Sequence, residues 1–326
     1  MGPPDGRGER RGALTRAAWR RIRFCLIGFG QATIGRARAG SRRVLDNPGL
    51  ALTLNLPHGH SLTLGGPTLV MGIVNVTPDS FSDGGRFADV ETAVFHGVRL
   101  VDEGAAILDV GGESTRPTAE RVAADVEKAR VLPVVAALAA GVATPISIDT
   151  YKASVAAAAI EGGASIVNDV WGFQRDSDMA RVVAATGAAA VLMHNRVAID
   201  PALDIVADIL AFLSRSIDIA LAAGVAEDKL WVDPGFGFGK TPEQNLVAVR
   251  RLGDLKALGR PVLLGVSRKS TIGRVTGQAV AADRLVGSIA AGLAGVAAGA
   301  DVLRVHDVAP HVQALKMWRA IEEGRP

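Results

Sequence analysis

Cysteine is nearly absent from this chain: its one copy among 326 residues, Cys25, allows no internal disulfide and no cysteine-based metal site. No run approaches the roughly 18 consecutive apolar residues that a membrane-spanning helix needs, so the main body has no candidate span. Aromatics make up only 4% of the residues, while 48% are hydrophobic and 38 are glycine. That balance suits short buried strands joined by glycine-rich loops to alanine-rich helices, and it argues against disorder in most of the chain. A basic surface is also missing from most of the molecule. The formal charge is +3, but residues 1–46 carry eleven arginines against Asp5, Glu9 and Asp46, a local +8 that leaves −5 for the rest. A nucleic-acid footprint would therefore have to lie in the tail, and no nucleic-acid or membrane partner is expected for the body. With thiols this scarce, the reducing cytoplasm is the expected location.

Residues 1–48 are rich in Arg and Gly with no sustained period, and are expected to form a disordered basic extension. The stretch from Trp19 to Phe29 faintly resembles a secretory leader but has a short apolar part and no clear cleavage site. An organellar transit peptide, or a translation start nearer residue 50, are the other readings of this segment.

A regular alternation begins near Leu50. Leu50–Leu56 and Ser61–Leu64 flank Pro57-His58-Gly59-His60, a hairpin pattern placed to plug one end of a barrel. Eight short apolar runs follow: Leu69–Val74, Ala106–Leu108, Ile146–Ile148, Ser165–Val167, Ala190–Met193, Leu230–Val232, Val262–Leu264 and Val302–Leu303. Between and after them lie helical patterns, Glu91–Glu103, Val122–Ala140, Lys152–Glu161, Asp178–Thr186, Asp204–Ala223, Glu243–Arg251, Asp283–Ala298 and Pro310–Glu322. Gly104, Gly141, Gly162, Gly187, Gly224 and Gly299 follow six of these helices, where a left-handed cap favours glycine. Eight strand-helix units predict an α/β fold, a (β/α)8 TIM barrel over residues 49–326, with a doubly wound open sheet as the alternative.

In such a barrel the residues just past each strand line the catalytic mouth. Here they are Asn75, Asp109, Asp149, Asn168, His194, Asp233, the trio Ser267-Arg268-Lys269, and Arg304 with His306. An Asp after a strand is often only the cap of the next helix, and Asp109 and Asp149 each admit that reading. Eight polar groups at one phase do not, because Asn, His, Lys and Arg are not interchangeable as caps. Two phosphate motifs fail: Gly239-Lys240-Thr241 would need a glycine at Pro234, and Gly28-Phe29-Gly30 would need one at Thr33.

These strand-end residues sit in segments that resemble the dihydropteroate synthases. The segments are Met71–Gly85, Asp109–Pro117, Ser147–Thr150, Val167–Val170, Leu192–His194, Asp233–Lys240, Ser267–Ser270 and Arg304–Asp307, in order, within about residues 60–322. The resemblance implies transfer of the 7,8-dihydropterin-6-ylmethyl group from its diphosphate to 4-aminobenzoate, giving 7,8-dihydropteroate and diphosphate, with both small molecules as substrates. It implies that Asp149, Asn168, Met193, Asp233, Phe238, Gly265 and Lys269 hold the pterin, and that Asp149, Asp233, Lys269 and Arg304 are catalytic. It implies Asn75, Thr115, Arg116, Arg304 and His306 at the diphosphate, and Asn75 as ligand to Mg²⁺. The aminobenzoate is expected at Phe81, Asp83, Thr115, Phe238, Lys269 and Ser270, under two glycine-rich lids, Asn75–Gly85 and Gly111–Thr118. The family is a sulfonamide target, and a homodimer is expected, with the small-residue stretch Gly287–Ala300 packing on the barrel or at the dimer contact. A barrel that moves a methyl group from methyltetrahydrofolate to a corrinoid would share the Asp/Asn/Asp pocket, but would have no use for Arg116, Arg304 and His306. Three features depart from the family pattern: Thr118 where glycine is usual, Asn195-Arg196 after His194, and the basic extension.

Overall fold

The computed structural model describes residues 52–76, 85–114 and 121–325, with no side-chain detail at 85–88. The basic extension, most of the first glycine-rich loop and half of the second lie outside the described residues. A hairpin, β1 (Leu52–Asn55) and β2 (Ser61–Leu64), precedes eight parallel strands. These are β3 (Leu69–Asn75), β4 (Ile107–Gly111), β5 (Ile146–Asp149), β6 (Ile166–Asp169), β7 (Ala189–Met193), β8 (Leu230–Asp233), β9 (Leu263–Leu264) and β10 (Val302–Val305). Each pairs with its neighbour in chain order, β10 pairs with β3, and a single parallel bridge between Val232 and Val262 joins β8 to the start of β9. The ring is therefore a closed barrel rather than an open sheet.

Two layers of apolar side chains follow from the two faces of the strands. Residues facing outward, such as Leu108, Val110, Ile146, Ile148, Leu192 and Val232, meet the helices in one continuous core. Those facing inward, Met71, Ile107, Ile166, Val191, Trp231, Leu263 and Val302, form a second core with Leu54, Leu56, Leu62 and Leu64 of the hairpin. The hairpin thus closes the N-terminal end, and burying each leucine stabilises that plug by about 1.5–3 kcal/mol.

Helix ends track local capping chemistry. Asp204 accepts hydrogen bonds from Val206 N and Ala207 N at 3.1 and 3.2 Å to start the helix Ile205–Ala222, and Thr241 with Gln244 makes a capping box for Pro242–Arg250. Two glycines depart from the expected left-handed role: Gly141 is the last residue of the helix Ala124–Gly141, and Gly162 is right-handed, with Gly163 taking the positive φ of 117°. A short helix, Ser270–Thr276, follows β9 and has no counterpart among the expected elements.

Candidate active site

The inner phase of the strands carries the plug upward into polar groups. Two residues beyond the inward-facing Ile107, Ser147, Ile166, Val191, Trp231, Leu263 and Val302 come Asp109, Asp149, Asn168, Met193, Asp233, Gly265 and Arg304, and Asn75 shares the phase of Met71. Alternation alone therefore brings one position from each of eight strands to one end of the barrel; for β7 and β9 these are Met193 and Gly265, while His194 and Ser267-Arg268-Lys269, the polar residues expected there, lie beyond the strand ends. Neither Asp109 nor Asp149 caps a helix: the helices that follow begin at Ala124 and Ala153, with Ala123 and Lys152 as caps.

Arg304 is the hub. Its Nε donates to Asp109 Oδ2 at 2.5 Å and its Nη2 to Asp149 Oδ2 at 2.6 Å, while Asn168 Nδ2 donates to Asp109 Oδ2 at 3.1 Å. One guanidinium between two carboxylates leaves a net negative charge in a poorly hydrated place. Burial works against the Arg304 cation, but Asp109 and Asp149 outweigh it and raise its pKa. Burial likewise pushes the Asp149 carboxyl up, to about 7, against the pull of Arg304 and with the repulsion of Asp109. Asp109 Oδ1 and Asp149 Oδ1 are buried with no hydrogen-bond partner. Such acceptors carry a penalty of about 1–3 kcal/mol each until a donor reaches them, so the site is built to receive donors.

Beside this group, at the end of β8 and just after β9, lie Asp233 and Lys269. Asp233 Oδ1 accepts from Gly235 N at 2.6 Å, and burial raises its carboxyl pKa against the nearby Lys269. The Lys269 ammonium donates to the carbonyl of Phe236, lies 4.5 Å from the centre of the Phe238 ring, and is lowered by burial to about 8 despite Asp233. Gly265 forms the floor between the two groups, since a Cβ there would stand 3.8 Å from both Asp233 Oδ2 and Arg304 Cβ. Met193 is buried beside them at the end of β7, and Ser270 is exposed at the head of the short helix.

Lys269 owes its direction to Arg268, which holds a left-handed φ of 58°. That conformation costs about 1–3 kcal/mol in a non-glycine residue. It is held from three sides: Arg268 N donates to Ser288 Oγ at 2.8 Å, its carbonyl accepts from Arg284 Nη1 at 2.9 Å, and its guanidinium grips both oxygens of Asp307. Next to it, His306 packs its Nδ1 against Ser267 Oγ at 3.1 Å, and burial, then Arg304 and Arg268, pull its imidazole down to about 3. The unfolded chain takes up that proton near 6.5, so between about 3 and 6.5 the unfolded state binds more protons and stability falls as the pH drops. His306→Asn is therefore expected to lose less Tm than the wild type between about pH 7 and pH 5. Equal slopes in the two proteins would contradict a neutral, buried ring.

Thr115, Arg116, Phe81 and Asp83 lie outside the described residues, as does Thr118. Asn75 is exposed at the mouth. The base of the second loop is anchored by Lys152, which bridges Glu113 and Glu127, while Tyr151 OH donates to Glu113 Oε1 at 2.9 Å. His194 is not a free pocket group: it is fully buried, edge-on to Phe212, with Asp208 and Lys240 on its two ring nitrogens. Asn195 and Arg196 are tied down as well, to the carbonyl of Val170 and to Asp208. Asp109, expected at the mouth but given no part in binding or catalysis, accepts from both Arg304 and Asn168. Its only sequence signal was the phase it shares with the other strand ends.

A family model described as pterin-binding enzymes matches residues 71–306. A dihydropteroate synthase of Clostridium beijerinckii is 48% identical over 255 residues, covering 78% of this chain and 94% of that protein. One from Bacillus subtilis is 47% identical, covering 78% and 88%. Among solved structures, the Xanthomonas albilineans dihydropteroate synthase with 4-aminobenzoic acid superposes with a TM-score of 0.81 at 45% identity, over 84% of this chain and 99% of that one. The same organism's enzyme in complex with 7,8-dihydropteroate gives 0.77 at 44%, over 83% and 99%. These matches decide between the two pterin-binding readings of the barrel, and they span the strands that carry the charge cluster. The chain belongs to the dihydropteroate synthases, pterin-binding transferases of folate biosynthesis built on a (β/α)8 barrel.

Proposed function

We propose that this barrel condenses 7,8-dihydropterin-6-ylmethyl diphosphate with 4-aminobenzoate, giving 7,8-dihydropteroate and diphosphate, through the residues assembled at its mouth. The observation that carries the residue assignment is the pair of buried, unpartnered oxygens on Asp109 and Asp149, at the end of the barrel that also carries Asn168, Asp233 and Lys269. A pterin edge of ring N–H and amino donors beside a carbonyl needs carboxylate acceptors and an amide or ammonium donor, the set present here. Met193 and Gly265 would pack against the ring. In the reaction the methylene C–O bond breaks, the amine nitrogen forms the new C–N bond and then loses its proton. Carboxylates at Asp149 and Asp233 stabilise positive charge that develops on the pterin.

The departing diphosphate needs positive charge and hydrogen-bond donors: Arg304 at the end of β10 and Arg116 are proposed to supply the charge, and the neutral His306, Asn75 at the end of β3 and Thr115 are the other proposed contacts. Two nitrogens of Arg304 are committed to carboxylates, so Nη1 is the one offered to phosphate. Mg²⁺ fits this donor set as a guest of the diphosphate. Asn75 offers one neutral oxygen, and no cluster of three metal-ligating side chains exists among the described residues. When bound it would neutralise charge on the leaving group, keeping several waters. The aminobenzoate is proposed to lie against Phe238, Lys269 and Ser270, with Phe81, Asp83 and Thr115 closing over it. Purified protein mixed with both substrates should release diphosphate and form dihydropteroate only when Mg²⁺ is present. Undiminished turnover in EDTA would remove the metal from this scheme.

We also propose a homodimer, formed through the face made by the helices Pro242–Arg250, Ser270–Thr276 and Leu285–Ala297. Leu246, Val275 and Val286 are exposed there beside an alanine-lined groove of about 710 Å³, and an isologous contact would cover this apolar surface on both copies. Sedimentation equilibrium of the wild type and of Val286→Glu tests this, and a monomeric wild type would reject it. A cytoplasmic location accords with the single cysteine, and among the described residues no single helix is long and apolar enough to cross a membrane. Cell fractionation checks it.

A further inference from the structure

The segment Asp233–Lys240 ends on a lysine that the pterin and diphosphate assignments leave without a task. Lys240 is only 5% exposed, and a buried ammonium is tolerated only where its protons find acceptors. All three do: Nζ donates to His194 Nδ1 at 2.7 Å, to the carbonyl of Gly235 at 2.8 Å and to that of Phe238 at 3.1 Å. Burial pulls the Lys240 pKa down to about 7; in the ammonium form, which these three acceptors favour, Nζ only donates, so His194 Nδ1 is the acceptor and the ring proton sits on Nε2, which reaches Asp208 Oδ2 at 2.9 Å. Arg196 donates to the same oxygen at 2.8 Å, so the whole chain of contacts is satisfied. Burial, then Lys240, pull the imidazole down to about 3 and keep it neutral, as an acceptor must be.

The loop gripped in this way carries both halves of one side of the site. Gly235 N holds the Asp233 carboxylate, the carbonyl of Phe236 takes the Lys269 ammonium, and the Phe238 ring lies against that ammonium. Lys240 ties down the carbonyls on either side of Phe236 and fastens both to the end of β7. The fit has no slack, since a Cβ on Gly235 would fall 1.8 Å from the carbonyl oxygen of His194.

We infer that Lys240 is a positioning residue, a staple between the Gly235–Gly239 loop and His194 that sets where Asp233 and Lys269 meet the pterin ring. The inference rests on the assignment of those two residues to the pterin. Lys240 Nζ donates to His194, Gly235 and Phe238; its charge is also felt by Asp233, and its hydrogen bonds act through the loop.

Lys240→Met keeps the length of the side chain and removes every donor. It is expected to raise KM for the pterin diphosphate by about tenfold or more while lowering kcat less, the scale set by one charge-assisted hydrogen bond lost from a loop that must be ordered to bind. His194→Leu, which deletes the acceptor, should do the same, and His194→Asn, whose amide oxygen can stand in for Nδ1, should restore KM to near the wild-type value. The double variant Lys240→Met with His194→Leu should be no worse than either single one, because both break the same link. A merely structural role would reduce the amount of active enzyme and the Tm but leave KM alone, and that result in Lys240→Met would overturn the inference. If Lys240→Met does not fold, the His194→Leu and His194→Asn pair decides, equal KM values in the two being the contrary outcome. Asp233→Asn serves as the control: an unchanged pterin KM there would instead undo the assignment of Asp233 to the pterin.

Discussion

Arg304→Met is expected to reduce kcat/KM by about 10³-fold or more and to lower Tm on the order of 10 °C, the second effect arising before any substrate binds. Methionine retains much of the stem but leaves Asp109 and Asp149 facing each other without their cation. Breaking a buried ion pair from one side costs about 3–5 kcal/mol, because the stranded charge has lost its compensation. The sign with pH can be worked out. Burial already raises Asp149 to about 7, and losing the cation that holds it down raises it further. Below that pKa the folded state binds more protons than the unfolded one, so the variant's stability deficit shrinks as the pH falls and grows as it rises. Thermal denaturation of both proteins across that window, together with steady-state kinetics, checks both halves. A variant with wild-type Tm and a lost rate would confine Arg304 to the leaving group, and one with wild-type rate would remove it from the site.

The phase of the strand ends was legible because a barrel strand has only two faces, and a run such as Leu230-Trp231-Val232 ends in Asp233 with its parity fixed. Helix boundaries shifted where local pattern and capping disagree. The first helix begins at Gly85 rather than Glu91, and Gly163 rather than Gly162 takes the left-handed turn. Pairing across the barrel was not legible at all. Asp109 and Arg304 stand 195 positions apart in the chain, and nothing local to Asp109 distinguishes a helix cap from half of an ion pair. His194 illustrates the same limit at shorter range, since its partners Asp208 and Lys240 come from two later segments that only the closed ring brings together. The short helix Ser270–Thr276 escaped notice because its first turn is also the stretch whose polar residues looked like part of the site.

Two glycines of this mouth should respond to alanine in opposite ways, and the contrast separates folding from binding. Gly235→Ala is expected to destabilise the protein by about 3 kcal/mol or more, since φ is +67° there and the new Cβ would meet the backbone oxygen of His194 at 1.8 Å. Backbone cannot swing aside as a side chain can, so the loop would have to lift, taking with it the amide that holds Asp233 and the carbonyl that holds Lys269. Gly265→Ala meets no atom nearer than 3.8 Å and its φ is not in the left-handed region, so its Tm should stay close to the wild type. Its methyl group would instead project between Asp233 and Arg304, into the space assigned to the pterin, and raise KM for the pterin diphosphate by about tenfold or more, the scale of a steric intrusion worth a kcal/mol or two. Denaturation midpoints and pterin KM for the two variants give a crossed pattern. Should Gly265→Ala bind pterin normally, the floor of the pocket lies elsewhere, and the inward phase of β9 has been given the wrong task.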